Sequence, residues 1–194
     1  MLTEAQRRGV RASGDVSLHQ LFFTEDDVAS FDANYHLIPP LRTAADRNAL
    51  QAALARGELT AICSDHQPHD ADAKLAPFPE TAPGISTLET LLPLALRLVT
   101  AGVLDLPSVI ARLTIGPAEI LGRNLGQLAA GAPADLCVFN PAEMWTPTAA
   151  TLISHGHHSP FLGQEMRGRV VLTALGGRIV FENLSAKSLA VGNV

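Results

Sequence analysis

Residues 58–74 read ELTAICSDHQPHDADAK: an apolar run that ends at Cys63, followed by Asp65 and two histidines, His66 and His69. A run with so little polar alternation has the character of a parallel strand covered on both faces. Asp65 then falls at the carboxyl end of that strand, the end at which barrels of alternating strands and helices carry their chemistry. A carboxylate there can ligate a divalent metal or take a proton from a metal-bound water. His69, in a loop opened by Pro68, is placed to donate to a substrate, and His66 to steady the aspartate from behind. Alone the string supplies at most one or two ligands, whereas a catalytic zinc takes three from the protein.

Working outward, Thr43 and Asp46 form a capping pattern ahead of Ala49, Leu50, Ala53 and Leu54, and Gly57 closes the helix. Upstream, MLTEAQRRGV reads as helix ending near Gly9, residues 10–18 as a strand, and TEDDV as a short helix capped by Thr24. Downstream, Ser86 and Glu89 suggest a capping box for an apolar helix over 87–100, kinked at Pro93. Asp105 with Pro107 opens another helix, and Gly116-Pro117 a third that stops at Gly122.

From Gly126 the pattern changes to short glycine-punctuated segments, GQLAAGAPADLCVFNP and RGRVVLTALGGRIVFE, which predict an antiparallel sheet. The expected organisation is α/β, with residues 1–124 as the carboxyl-terminal part of a (β/α)8 barrel, its last two βα units. Residues 125–194 are expected to give strands of a small composite β-sandwich and a tail.

Composition narrows the partners. The 194 residues carry 14 Lys+Arg against 19 Asp+Glu, a net charge of −5, so no basic surface for nucleic acid is expected. The longest apolar stretch, LETLLPLALRLV, is too short to cross a bilayer. Two cysteines, Cys63 and Cys137, suit a reducing cytoplasm and read as buried, inert thiols. His155, His157 and His158 in SHGHHSP read as a surface or interface loop, and His19 and His36 as packing or supporting residues.

IPPLRTAADRNALQAALARGELTAICSDHQPH followed by APFPETAPGISTLETLLPLALRLV resembles the carboxyl-terminal half of dihydroorotase, of the amidohydrolase superfamily. GQLAAGAPADLCVFNP and SPFLGQEMRGRVVLTALGGRIVFE resemble the segments that complete the sandwich beside such a barrel. The resemblance covers nearly the whole chain. It implies a zinc-dependent interconversion of N-carbamoyl-L-aspartate and dihydroorotate in pyrimidine synthesis. By it Asp65 matches the metal-ligating aspartate that is also general base and acid, His69 a substrate-binding histidine, and Pro83 and Gly84 the loop whose backbone contacts the substrate ring.

The resemblance also implies what is lacking. Active members carry a His-x-His-x-Arg element, a bridging carboxylate or carboxylated lysine, and further metal histidines, all upstream of the part matched. Zinc is therefore not expected to be held by this chain alone, nor activity to be shown without a missing amino-terminal half or a partner copy. Ile38 stands where active members often have a substrate-binding asparagine, and His36 where they have a lysine. In SLHQL, Leu18 and Gln20 replace residues of a common Thr-Pro-His-His-Leu string. Such changes resemble non-catalytic dihydroorotase-like proteins that accompany aspartate carbamoyltransferase. A different cyclic amide, a hydantoin or allantoin, is the third reading.

Overall fold

The computed structural model describes residues 2–183; the end of the expected tail lies outside the described residues. A helix α1 (Leu2–Arg7) leads to strand β1 (Asp15–Ser17), which pairs in parallel with β2 (Ala61–Cys63), Val16 opposite Ile62. Between them runs α2 (Ala44–Ala55), held at its start by reciprocal bonds: the Asp46 amide donates to the Thr43 hydroxyl, and the Asp46 carboxylate accepts from Thr43. This is the capping box read from the sequence. Glu25–Val28 forms a 3-10 turn in which Asp27 accepts from the Thr24 amide at 2.7 Å.

The strand expected over 10–18 is shorter than that. Only three residues pair, and the chain at Leu18–Leu21 winds into a fully buried 3-10 turn. Leu18 and Leu21 are both completely buried there, and His19 and Gln20 between them are buried as well.

Helices α3 (Leu91–Thr100), α4 (Leu106–Leu113) and α5 (Ile115–Ile120) follow. Asp105 caps α4 by accepting from the Ser108 amide at 2.9 Å. Helix α3 starts later than the sequence suggested, and Ser86 and Glu89 do not cap it. Glu89 accepts instead from the amides of Ile153 and Ser154, and Ser86 donates to the Gly156 carbonyl. Pro93 is the third residue of α3, where an amide has no helical partner to lose, so it gives no cause for a kink.

The antiparallel sheet expected after Gly126 is present as β3 (Leu136–Trp145), β4 (Met166–Leu175) and β5 (Arg178–Glu182), in the order β3-β4-β5. Strand β4 lies against α3. One apolar cluster draws on both halves of the chain: Leu18, Leu21, Leu54, Ile85, Leu94 and Leu98 are joined by Phe161 and Met166. The Phe161 ring stacks on Phe23, centroids 4.8 Å apart. Cys137 departs from its expected burial: it lies exposed on β3, three of whose first residues, Leu136 to Val138, face solvent. Among the described residues no helix is long and apolar enough to cross a membrane.

Candidate active site

Just past the end of β2, Asp65 adopts a left-handed backbone (φ 49°), a conformation uncommon outside glycine and asparagine-like residues and frequent at functional turns. Its carboxylate is 23% exposed. One oxygen, Oδ2, accepts from Ser17 Oγ at 2.9 Å; the other, Oδ1, accepts from Gln67 Nε2 at 2.9 Å. The parallel pairing of β1 with β2 sets Ser17 opposite Cys63 and so brings its hydroxyl to Asp65.

His19, on the buried turn after β1, approaches the same carboxylate: Nε2 is 3.7 Å from Oδ2. It is 1% exposed, and neither ring nitrogen has a hydrogen-bond partner. Burial lowers its pKa and the nearby Asp65 charge opposes that shift, the net direction being down. A buried, unsatisfied imidazole costs free energy. Burial also pushes the Cys63 thiol up to about 11, so it stays protonated at neutral pH, as an inert thiol should.

His69 Nε2 lies 2.8 Å from the Pro83 carbonyl, which can only accept, so the ring carries a hydrogen on Nε2. The Gly84 amide donates a hydrogen bond to the His36 carbonyl at 2.8 Å, and Gly84 has φ 117°. A Cβ there would lie 2.5 Å from Gln67 Cβ and 3.1 Å from His69 Nε2, so only glycine fits. The structure thus brings His69, Pro83 and Gly84 together, and Gln67 links them to Asp65. His36 Nδ1 meets Thr81 Oγ1 at 2.7 Å and its ring packs on Phe78; Ile38 is 64% exposed.

His66 does not steady Asp65; Ser17 and Gln67 do that. Its Nδ1 accepts from the amides of Thr87 and Leu88, at 3.1 and 3.2 Å, and its Nε2 lies 3.4 Å from Ser154 Oγ. The SHGHHSP loop carries His155 and His157 in solvent, as expected, but is also fastened to the Asp65 turn. His158 Nε2 reaches the Asp70 carbonyl at 3.1 Å, and the buried Gly156 backs onto His69. Neither Ser17 nor Gln67 was singled out from the sequence, and the SHGHHSP loop was read as a surface or interface loop, not as a neighbour of Asp65. Residues 17 and 65, or 66 and 154, are joined only by the fold; the lone local signal was the parallel strand pattern.

The donors do not add up to a zinc centre. Asp65 and His19 are two groups, a catalytic zinc takes three, and among the described residues no group of three or more His, Cys, Asp or Glu could hold a metal. What the arrangement does unaided is hold a carboxylate between Ser17 and Gln67, with His19 3.7 Å away and the tight turn at Gly84 beyond Gln67.

Comparison with known proteins gives the family. The chain belongs to the amidohydrolase family, whose model matches residues 25–180. It is 47% identical over 182 residues to a dihydroorotase-like protein of Pseudomonas aeruginosa, covering 94% of this chain and 43% of that protein. A dihydroorotase of Trichlorobacter lovleyi is 41% identical over 181 residues, with 93% and 43% covered. Among solved structures, the L-hydantoinase (dihydropyrimidinase) of Arthrobacter aurescens superimposes with a TM-score of 0.86 at 28% identity, covering 93% of this chain and 42% of that one. The chain therefore spans less than half the length of the proteins it matches.

Proposed function

We propose that this chain supplies one wall of a dihydroorotase-like site and does not turn over dihydroorotate by itself. The observation that carries the reading is the cluster beyond β2: Asp65 bonded through Gln67 to the turn where His69 meets Pro83 and Gly84. In that reading these segments belong to the last two βα units of a (β/α)8 barrel, with β3 to β5 in its companion sandwich. Asp65 takes a proton from the attacking water and returns it to the departing ring nitrogen. His69 and the Pro83–Gly84 backbone hold the ring. The two donors at hand do not make a zinc site, so any zinc is held with ligands from elsewhere in a longer protein or a second chain.

The purified chain is expected to show no hydrolysis of dihydroorotate and no cyclisation of N-carbamoyl-L-aspartate, with or without added zinc. Turnover that needs zinc and disappears in Asp65→Asn would overturn the proposal. Hydantoin assayed beside dihydroorotate separates the hydantoinase-type reading.

A second reading is favoured by Ile38, an exposed aliphatic side chain where the resemblance calls for an asparagine. In it the parent is a non-catalytic cytoplasmic companion of aspartate carbamoyltransferase. Sedimentation of the two proteins together should then show a complex that survives Asp65→Ala. Independent sedimentation at micromolar concentration would remove it.

A further inference from the structure

The residues around His66 form a relay whose hydrogens can be assigned. Nδ1 faces two amide hydrogens, from Thr87 and Leu88, so it must be bare. The ring hydrogen therefore sits on Nε2 and points to Ser154 Oγ. Ser154 gives its own hydrogen to Glu89 Oε1 at 2.7 Å, and the same oxygen accepts from the amides of Ser154 and Ile153, at 2.7 and 3.0 Å. A serine, a histidine and a carboxylate are in line, but the protons run the wrong way for a nucleophile. The imidazole turns a hydrogen, not a lone pair, toward the hydroxyl, and the carboxylate meets the serine instead of the imidazole.

What the relay does is mechanical. His66 sits next to Asp65, and Ser154 is two residues from Gly156. A Cβ on Gly156 would come within 2.6 Å of the His69 amide nitrogen and 2.7 Å of its carbonyl oxygen. The relay thus pins the 64–70 turn at His66, and Gly156 closes against it at His69.

Resting on the reading of Asp65 and His69 as site residues, we propose that Ser154 and Glu89 are positioning residues. They lock His66 in its Nε2–H form and so hold the turn that presents Asp65 and His69.

Two measurements on the full chain test this without turnover, so they stay informative if the dihydroorotase-like reading fails. Long-range proton–nitrogen spectra should show His66 bare at Nδ1, and Ser154→Ala should shift both its Nε2 and the bonded His69 Nε2. Exchange of the Gln67 amide, bonded to Ile85, should rise about tenfold or more in Ser154→Ala and Glu89→Gln, the scale of one lost charge-assisted hydrogen bond. Amides of β4 should keep their rates, and Ser154→Thr, which retains the hydroxyl, should restore Gln67. Gly156→Ala provides a second approach from the His69 end and should shift the His69 resonance. A His66 ring protonated on Nδ1, or wild-type Gln67 exchange in both relay variants, overturns the proposal.

Discussion

At the scale of single residues, the left-handed Asp65 and the glycine at 84 show how tightly the turn is specified. Gly84→Ala must strain a backbone at φ 117° and drive a methyl into Gln67. Overpacking of this kind costs about 1–3 kcal/mol, and here it should also break the Gln67 bond to Asp65. Chemical denaturation would read the first effect, and the side-chain amide resonances of Gln67 the second. The cysteines offer a contrast. Cys137 is exposed whereas Cys63 is half-buried with its pKa near 11, so iodoacetamide followed by peptide mass mapping should label Cys137 first. Faster labelling of Cys63 would contradict the burial described. Asp65 and His69 drew notice because they lie at and just past a strand end, whereas Pro83 and Gly84 came only from the resemblance to dihydroorotase. Ser17 and Gln67 carry no such mark, and their part follows only from which atoms the folded chain brings within 3 Å.

Among elements, those built from local rules were legible: α2 from its capping box, α4 from Asp105 and Pro107, the β4–β5 hairpin from its paired glycines. The start of α3 was not, because a tertiary contact took the residue that local rules would have spent on a cap. Glu89 has a pH consequence. Burial works to raise its pKa, but the Ser154 hydroxyl and the surrounding amides outweigh it and the net shift is downward. A carboxyl whose folded pKa is depressed adds stability above its unfolded value, and that stability disappears as pH falls through the lower folded value. Wild type should therefore lose stability more steeply than Glu89→Gln below the ordinary glutamate pKa of about 4.3, as urea midpoints at successive pH values would register. Parallel pH curves for the two proteins would mean that Glu89 gains nothing from its three donors.

For the molecule as a whole, the exposed face of β3 to β5 decides behaviour in solution. Val138, Met144, Leu175, Ile179, Val180 and Phe181 are between 38% and 61% exposed, and all five residues of β5 face solvent. Among the described residues strand β5 has a neighbour only on its β4 side, which leaves its other edge unpaired there beside apolar side chains. Such an edge is a template for pairing with another chain, and β5 carries no proline and sets its two charges, Arg178 and Glu182, at its ends. Apart from Met144, which lies past the segment read as strand, these apolar residues fall in the two segments that predicted the sheet. Their exposure could not be read, because alternation shows which side chains share a face and not whether anything covers it. The purified chain should consequently associate as its concentration rises through the micromolar range, followed by light scattering behind size exclusion. Ile179→Lys with Val138→Lys should lower the apparent mass by charging that face, while leaving the Leu18, Leu94 and Phe161 core, and hence the thermal midpoint, nearly unchanged. A wild-type chain that stays monomeric at all these concentrations would show that the open edge is weaker than its apolar content implies.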